Sequence, residues 1–228
     1  MAKALIVLTS HAHMGDTNET TGFWLSELTH PYYAIAKRGI NVDIVSIQGG
    51  EAPIDPRSWD EEDKDNARFM ATPELTQTLK ASKSLDEINA SDYQAIVFAG
   101  GHGTMWDFPD DPDVQDKAAE IYEEGGIVAA ICHGPAALIN IQLSDESFLI
   151  DGKRVTGFSN AEEEAVQLSN VVPFSLQDEL MIRGAHYVEK PVWTANVIID
   201  GRIVTGQNPQ SAAGVGEAVS DLLLEWFT

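Results

Sequence analysis

The stretch GIVAAICHGPAAL, residues 126–138, holds the only cysteine of the chain, Cys132, between an apolar run and a glycine–proline pair. Residues 127–131 are apolar without alternation, which favours a strand covered on both faces, as in a parallel sheet. Pro135 suits the first turn of a helix, so we expect the strand to end at Cys132 and a helix to begin shortly afterwards. The cysteine would then occupy a sharp strand-to-helix turn.

Other apolar runs alternate with helical segments along the chain. Strands are also predicted at KALIVLT (3–9), NVDIVSI (41–47), QAIVFAGG (94–101) and, more weakly, NVIIDGRIVTG (196–206). Helices are predicted at 22–38, 73–82, 112–124, 135–141 and 211–227. This alternation is typical of an α/β fold, a doubly wound and mostly parallel sheet sandwiched by helices. In such folds the site lies at the carboxyl ends of the strands, here where the loops after Thr9, Ala99 and Ile131 converge.

We expect one domain over residues 1–228, because a chain of 228 residues can build one sizeable core. Residues 49–72 are acidic and rich in turn formers, which predicts a polar surface excursion with solvated charges after the second strand. Residues 144–192 are expected to continue the sheet with short decorations.

The chain carries 14 basic and 36 acidic residues, a formal net charge of -22, which predicts repulsion from nucleic acids and anionic membranes. A single cysteine cannot form an internal disulfide. No run approaches the roughly 20 apolar residues that span a bilayer, and the N-terminus lacks the pattern of a signal peptide. We therefore expect a cytoplasmic protein that binds neither nucleic acid nor membrane.

Cys132 itself has two interpretations. Ala130 and Gly134 are the small neighbours that a nucleophile elbow requires, because bulkier side chains would clash in so tight a turn. In that case a helix N-terminus and His133 would lower the pKa of the thiol below that of a free cysteine. A lone cysteine in an apolar strand is also commonly an inert core residue, and this stretch alone leaves both interpretations open.

A glycine-rich stretch, AGGHGTMWDF (99–108), follows another predicted strand. Gly100, Gly101 and Gly103 leave backbone N–H groups unobstructed, as an oxyanion hole requires, although a tight structural turn would look similar. The glycine spacing differs from that of a dinucleotide-binding loop. His102 is either a ligand contact or a solvated loop histidine.

Glu27 lies among apolar and aromatic residues of the first predicted helix. If its carboxyl points to the same sheet edge as Cys132, partial burial would raise its pKa and keep it protonated. The alternative is an exposed helix carboxylate.

Five stretches together resemble the ThiJ/PfpI superfamily and, within it, the heat-shock-protein-31-like branch of glutathione-independent glyoxalase III proteins. They run in order over nearly the whole chain: TGFWLSELTHPYYAIAKRGINVDIVSIQGG, AGGHGTMWDFPDD, AAICHGPAAL, VTGFSNAEEEAV and IDGRIVTGQNPQSAAGVGEAV. The resemblance implies a flavodoxin-like fold, similar to that of class I glutamine amidotransferases.

The resemblance also assigns roles to residues of this chain. It implies Cys132 as the nucleophile and His133 as the general base. Glu163 would orient the histidine, and Glu27 would contact the cysteine. Glu162 and Glu164 flank Glu163, so a register shift of one residue would place a neighbour against the histidine. The implied oxyanion and substrate site is formed by the residues Gly101, His102, Gly103 and His133.

The implied activity is conversion of methylglyoxal and similar 2-oxoaldehydes to 2-hydroxy acids through a cysteine hemithioacetal, a glyoxalase III-type lyase reaction of the D-lactate dehydratase class. Deglycase activity would reflect capture of the same free aldehydes. The resemblance implies no cofactor, no metal and a homodimer. Two alternatives remain: an intracellular cysteine peptidase or amidase of the same superfamily, and a non-enzymatic redox-sensing chaperone whose thiolate is oxidised.

Overall fold

The computed structural model describes residues 2–226. Its strands are β1 (Lys3–Leu8), β2 (Asn41–Ser46), β3 (Gln48–Gly50), β4 (Ser82–Ser84), β5 (Ala95–Phe98), β6 (Ile127–Ile131), β7 (Arg154–Val155), β8 (His186–Tyr187), β9 (Val197–Asp200) and β10 (Ile203–Gly206). Eight of these strands form one sheet in the order β3-β4-β2-β1-β5-β6-β10-β9. Pairing is parallel from β4 to β10, and the two edge strands β3 and β9 are antiparallel.

Helices cover both faces of this sheet. The α-helices are α1 (Leu25–Ala36), α2 (Lys64–Met70), α3 (Pro73–Lys80), α4 (Thr104–Asp107), α5 (Pro112–Glu123), α6 (Asn160–Ala165), α7 (Leu176–Ile182) and α8 (Ala212–Trp226). Every residue of β6 is buried, and since successive side chains of a strand point to opposite faces, both faces are covered there. Helix α8 packs on β6 and β10, and α5 packs on β5 and β6. The predicted doubly wound, mostly parallel α/β fold is confirmed.

The strand order reverses at β1, which pairs with β2 on one side and β5 on the other. A crevice forms at such a switch point, outside the carboxyl ends of the strands. The loops after β1 and β5 meet there, because the Thr9 hydroxyl donates to the Asp107 carboxylate at 2.8 Å. The loop after β6 joins them: a Cβ at Gly134 would lie 2.3 Å from the backbone oxygen of Phe98. The three loops therefore converge as expected.

Two predicted elements differ in the structure. Residues 135–141 do not form an α-helix; a fully buried 3-10 helix spans Gly134–Leu138 instead, and its conformation is set by tertiary packing. The stretch 196–206 is an antiparallel hairpin, β9 and β10, because Gly201 takes a φ of 58° in the turn between them. Phe227, the last residue of the final predicted helix, lies outside the described residues.

The polar excursion at residues 49–72 is more ordered than expected. It contains α2 and a 3-10 helix at Pro56–Ser58. Its backbone pairs with the segment ahead of α1, since Phe23 donates to the Pro53 oxygen and Asp55 donates to the Phe23 oxygen, each at 2.9 Å. Asp55 and Phe69 are fully buried. The acidic composition predicted solvated charges, but one of these carboxylates is an interior group.

Residues 144–192 do not extend the main sheet. They carry α6, α7 and a separate two-stranded sheet of β7 and β8. Along residues 2–226, no helix combines the length and the apolar composition that a bilayer crossing requires.

Candidate active site

Cys132 follows β6 with a φ of 59°, in the left-handed region that disfavours residues with a Cβ. Two backbone hydrogen bonds hold it there. Its N–H donates to the Gly206 oxygen at 2.8 Å, and its C=O accepts from the Phe158 N–H at 2.7 Å. The sharp turn predicted from the sequence is present, and the small size of Gly134 lets it pass close to β5.

The thiol of Cys132 is buried, with 3% of the residue exposed. Burial raises the pKa of this thiol well above its ordinary value, and the nearby carboxyl groups of Glu27, Glu162 and Glu163 raise it further. The element that follows is a five-residue 3-10 helix, too short to supply an appreciable dipole. The predicted lowering of the thiol pKa is therefore wrong, and the neutral thiol is the resting form.

Glu27 of α1 is fully buried, which excludes the exposed alternative. Neither carboxyl oxygen has a hydrogen bond of good geometry with a described residue, although the Cys132 thiol and Gly100 backbone are close. A Cβ at Gly100 would lie 2.3 Å from Oε2 of Glu27. Burial raises the pKa of Glu27 well above its usual value, and the thiol and the Gly100 backbone offset this only in part. The carboxyl is therefore protonated and available to donate a hydrogen bond.

Two histidines share the carboxylate of Glu163. Nε2 of His133 lies 2.6 Å from Oε2, and Nε2 of His102 lies 2.8 Å from Oε1. Nδ1 of His133 lies 3.4 Å from Sγ of Cys132. Because an ionised carboxylate only accepts hydrogen bonds, the neutral imidazole of His133 carries its proton on Nε2 and presents Nδ1 as a base to the thiol.

Glu163 is ionised in this arrangement. Burial alone would raise the pKa of its carboxyl, but the neighbouring His133 and the hydrogen bonds from both histidines outweigh burial and lower it far below the usual range. His102 is 4% exposed and contacts Glu163, so it is not a solvated loop residue.

Asp55 and Arg57 also reach the site, and neither residue was predicted from the sequence. Nη2 of Arg57 lies 3.2 Å from Nδ1 of His102. The Asp55 carboxylate accepts from the Arg57 backbone N–H and Nε at 2.9 Å each and from Nη2 at 2.5 Å. The only signal in the sequence is the short DPR spacing, which a charged surface loop would show equally well.

The backbone around Gly101 supplies candidate oxyanion donors. Gly101 has a φ of 106°, and a Cβ there would lie 2.7 Å from the Cα of Phe23. The N–H groups of Gly101 and His133 donate to no other residue within 2–226, which makes both candidates for binding an oxyanion. Gly103 differs from the expectation, because its N–H is directed to the Gly22 oxygen at 3.4 Å.

The three successive glutamates of α6 have different surroundings. Glu163 contacts the histidines, Glu164 is exposed, and Glu162 is fully buried. The Glu162 carboxylate accepts five hydrogen bonds of 2.8 to 3.1 Å, from the backbone N–H and hydroxyl of Ser159, the backbone N–H of Trp193 and the side-chain amides of Gln207 and Asn208. Glu162 thus holds the surrounding loops, and Glu163 is the carboxylate beside His133.

His102, His133 and Glu163 also form a donor set of the kind that holds a divalent transition metal, with ligand atoms within 4.8 Å of one another. These atoms are already paired with each other in hydrogen bonds. Metal binding would therefore have to displace both protons from the Nε2 atoms.

The sequence profile of the DJ-1/PfpI family matches residues 19–221. The chain belongs to the DJ-1/PfpI family. This DJ-1/PfpI protein is 36% identical over 229 residues to the glutathione-independent glyoxalase HSP31 of Saccharomyces cerevisiae, a match that covers 92% of this chain and 93% of that protein.

Solved structures of this family are close in fold. Glyoxalase III from Candida albicans superposes with a TM-score of 0.89 at 31% identity, covering 96% of this chain and 95% of the other. Rapid Encystment Protein 24 kDa (REP24) from Francisella tularensis superposes with a TM-score of 0.96 at 51% identity, covering 98% of this chain and 99% of the other.

Proposed function

We propose that this DJ-1/PfpI protein is a glutathione-independent glyoxalase, which converts methylglyoxal and similar 2-oxoaldehydes to 2-hydroxy acids through a hemithioacetal on Cys132. One observation carries the proposal: the thiol faces Nδ1 of His133 at 3.4 Å, while the other ring nitrogen is bound by Glu163. Relatives that cover nearly the whole chain at 36% and 32% identity are named glyoxalases, which supports it.

The first step forms a carbon–sulfur bond. Sγ of Cys132 attacks the aldehyde carbon as Nδ1 of His133 takes the thiol proton, so the raised pKa of the thiol is met by a base in contact. The aldehyde oxygen becomes an alkoxide held by the N–H groups of Gly101 and His133, and it then takes the former thiol proton from Nδ1 of His133, which gives the hemithioacetal and restores the neutral base. Protonated Glu27 donates a hydrogen bond toward the sulfur or the substrate.

The second step moves a proton from C1 to C2. His133 removes the C1 proton and returns one to C2 through an enediol, so C1 is oxidised to a thioester while C2 is reduced to an alcohol. Water then cleaves the thioester, which releases the 2-hydroxy acid and restores the thiol. The redox change is internal to the substrate and needs no external oxidant. Glu163 orients His133 and stabilises its cationic form.

The proposal also covers the oligomeric state, the localisation and the binding partners of the enzyme. The chain acts as a single-domain homodimer in the cytoplasm, with small 2-oxoaldehydes and not nucleic acids or membranes as partners. The homodimer rests on the family resemblance, and the exclusion of polyanions rests on the net charge of -22. Light scattering on the purified protein gives the oligomeric state directly. Deglycation of glycated amines follows from capture of the same free aldehydes.

The test is turnover of methylglyoxal by the purified protein without glutathione, with the 2-hydroxy acid measured as product. Cys132→Ala should reduce turnover to background, because the chain offers no other thiol. His133→Ala should be nearly as damaging, since both proton transfers use its Nδ1. The exposed Glu164→Gln is the matched control and should keep the parent rate.

The outcome also separates the alternatives. Hydrolysis of peptide or amide substrates without methylglyoxal turnover would favour the peptidase or amidase class. Equal rates of methylglyoxal turnover for the parent and Cys132→Ala would contradict the assignment of Cys132 as the nucleophile. That result would favour the remaining alternative, a redox-sensing chaperone.

A further inference from the structure

Arg57 approaches His102 from the side of the ring opposite Glu163. Nη2 of Arg57 lies 3.2 Å from Nδ1 of His102, while Nε2 of the same ring lies 2.8 Å from Oε1 of Glu163. His102 is therefore held at both nitrogens, by a cation on one side and by an anion on the other. The glyoxalase mechanism proposed above assigns no step to Arg57.

The guanidinium is fixed in place by a buried partner. Asp55 is fully buried, and its carboxylate accepts from the backbone N–H, Nε and Nη2 of Arg57 and from the hydroxyl of Thr21. Burial would raise the pKa of Asp55, but the hydrogen bonds from Arg57 outweigh burial and lower it. A bidentate pair of this kind restricts the guanidinium to one orientation, in which Nη2 points at the imidazole.

The chemistry of the two neighbours determines where His102 carries its proton. A guanidinium has only donors, so Nδ1 of His102 must be the unprotonated acceptor. A carboxylate has only acceptors, so Nε2 must carry the hydrogen. The two contacts are independent and require the same tautomer.

The same neighbours keep His102 neutral. Burial lowers its pKa to about 4, and the neighbouring His133 and the charge of Arg57 add to this, against the opposing effect of Glu163. A neutral His102 leaves the negative charge of Glu163 available to His133, whose ring centroid lies 4.0 Å from that of His102. A cationic His102 at that distance would oppose the formation of a second cation on His133.

We propose that Arg57, held by Asp55, is a positioning residue that fixes His102 as the neutral Nε2–H tautomer and so reserves the charge of Glu163 for His133. The order of contacts is Asp55, Arg57, His102, Glu163, His133 and finally Cys132. Arg57 acts through His102 and touches none of the reacting atoms. The kinetic consequence rests on the proposed glyoxalase function, whereas the tautomer does not.

The direct test is the imidazole nitrogen chemical shifts of isotope-labelled histidine, with the His102 signals assigned from His102→Gln. In the parent, Nδ1 of His102 should have the shift of an unprotonated nitrogen and Nε2 that of a protonated one near neutral pH. In Arg57→Met, Glu163 still holds the hydrogen on Nε2, but the Nδ1 shift of His102 should change because that nitrogen loses its donor, and His102 should gain its second proton at higher pH than in the parent. Arg38→Met, which removes an arginine from an exposed pair with Asp221, is the matched control and should match the parent.

The second test is the pH dependence of methylglyoxal turnover. Arg57→Met should lower kcat by about 10- to 100-fold with little change in KM, because misorientation of a group behind the base affects the chemical step. The acidic limb of its kcat profile should move to higher pH, since His102 becomes cationic more readily. Arg57→Lys, which keeps the charge without the bidentate geometry, should recover part of kcat and move the limb back toward that of the parent.

Several results would overturn the proposal: a protonated Nδ1 of His102 in the parent, unchanged shifts in Arg57→Met, or a kcat profile of Arg57→Met that superposes on the parent. If Arg57→Met does not fold, Arg57→Gln repeats both measurements. A parent protein that folds and shows the stated tautomer but does not turn over methylglyoxal would overturn the glyoxalase function and leave the assignment to Arg57 intact.

Discussion

The single residue Cys132 has a raised pKa because of groups that lie far from it in the chain. Burial removes water from the thiol, and Glu27 of α1 adds an acidic group beside it. Since burial also raises the pKa of Glu27, both acids keep their protons at rest. Reactivity then depends on proton transfer to His133 during attack, not on a preformed thiolate.

This predicts how alkylation of Cys132 by iodoacetamide depends on pH. The thiolate is the reacting form, and a raised pKa means that its fraction grows only above the pH at which a free thiol ionises. The midpoint of the rate profile should therefore lie above that of a free cysteine. Glu27→Gln should lower the midpoint, because the Glu27 carboxyl loses its proton as the pH rises, and the negative charge that then opposes ionisation of the thiol is absent from the variant. The rate is measured by mass spectrometry of the intact protein.

The exposed Glu164→Gln is the control and should leave the alkylation midpoint unchanged. A parent midpoint at or below that of a free thiol would contradict the protonated resting state.

For single residues, the sequence predicted which side chains meet at the candidate site, but not the protonation state of the thiol. The CHGP stretch and its resemblance pointed to Cys132, His133 and Glu163, and these residues are in contact. The direction of the thiol pKa could not be predicted from sequence. Solvent exclusion depends on how α1 and α6 pack around the turn, and no local pattern encodes that packing.

Helix α6 places three consecutive glutamates in three different environments, so identical side chains have different roles. Consecutive side chains on an α-helix point about 100° apart, since the helix has about 3.6 residues per turn. Glu162 therefore faces the loops that carry Trp193 and Asn208, Glu163 faces the histidines, and Glu164 faces solvent. A capping box between Ser159 and Glu162 sets the start of the helix and thereby its register.

The three glutamine substitutions in α6 should have separable effects. Glu163→Gln should lower kcat by about 10- to 10⁴-fold with a small change in stability, because the imidazole remains but is less well oriented. Glu162→Gln should lower the free energy of unfolding by about 1 to 3 kcal/mol, because an amide cannot accept all five buried hydrogen bonds. Glu164→Gln should change neither quantity. Methylglyoxal turnover and urea unfolding are the two measurements.

A selective loss of kcat in Glu162→Gln with parent-like Glu163→Gln would mean that the wrong carboxylate has been assigned to His133. Equal destabilisation by all three substitutions would contradict the register of α6.

Strands and helices were predictable from the sequence where a hydrophobic pattern continues over several consecutive residues. Apolar runs identified the strands β1, β2, β5 and β6, and the helices α1, α3, α5 and α8 fall within their predicted segments in residues 2–226. The excursion at residues 49–72 was not predictable in the same way. Its charges suggested a solvated loop, but Asp55 is buried by pairing with Arg57 and Thr21, and such pairing is visible only once the backbone is folded.

Over the whole molecule, acidic residues outnumber basic ones by 36 to 14, so the formal net charge at pH 7 is -22 and most carboxylates have no basic partner. Ion pairs in residues 2–226 are few and mostly exposed, such as those of Lys37 with Glu217 and Arg38 with Asp221. Exposed pairs contribute little to stability. The folded state therefore carries a net repulsion that expansion of the chain would relieve.

Salt should consequently stabilise the protein at neutral pH. Raising NaCl from about 0.01 M to about 0.1 M shortens the Debye length from about 30 Å to about 10 Å, which screens repulsion between distant carboxylates. A gain of about 1 kcal/mol would raise Tm by about 2 to 4 °C in a chain of this size. The same salt step near the isoelectric point of about 4.4 is the control, because the net charge there is close to zero and the rise in Tm should vanish. A Tm that does not respond to salt at pH 7, or that responds equally at both pH values, would show that the excess negative charge does not limit the stability of this fold.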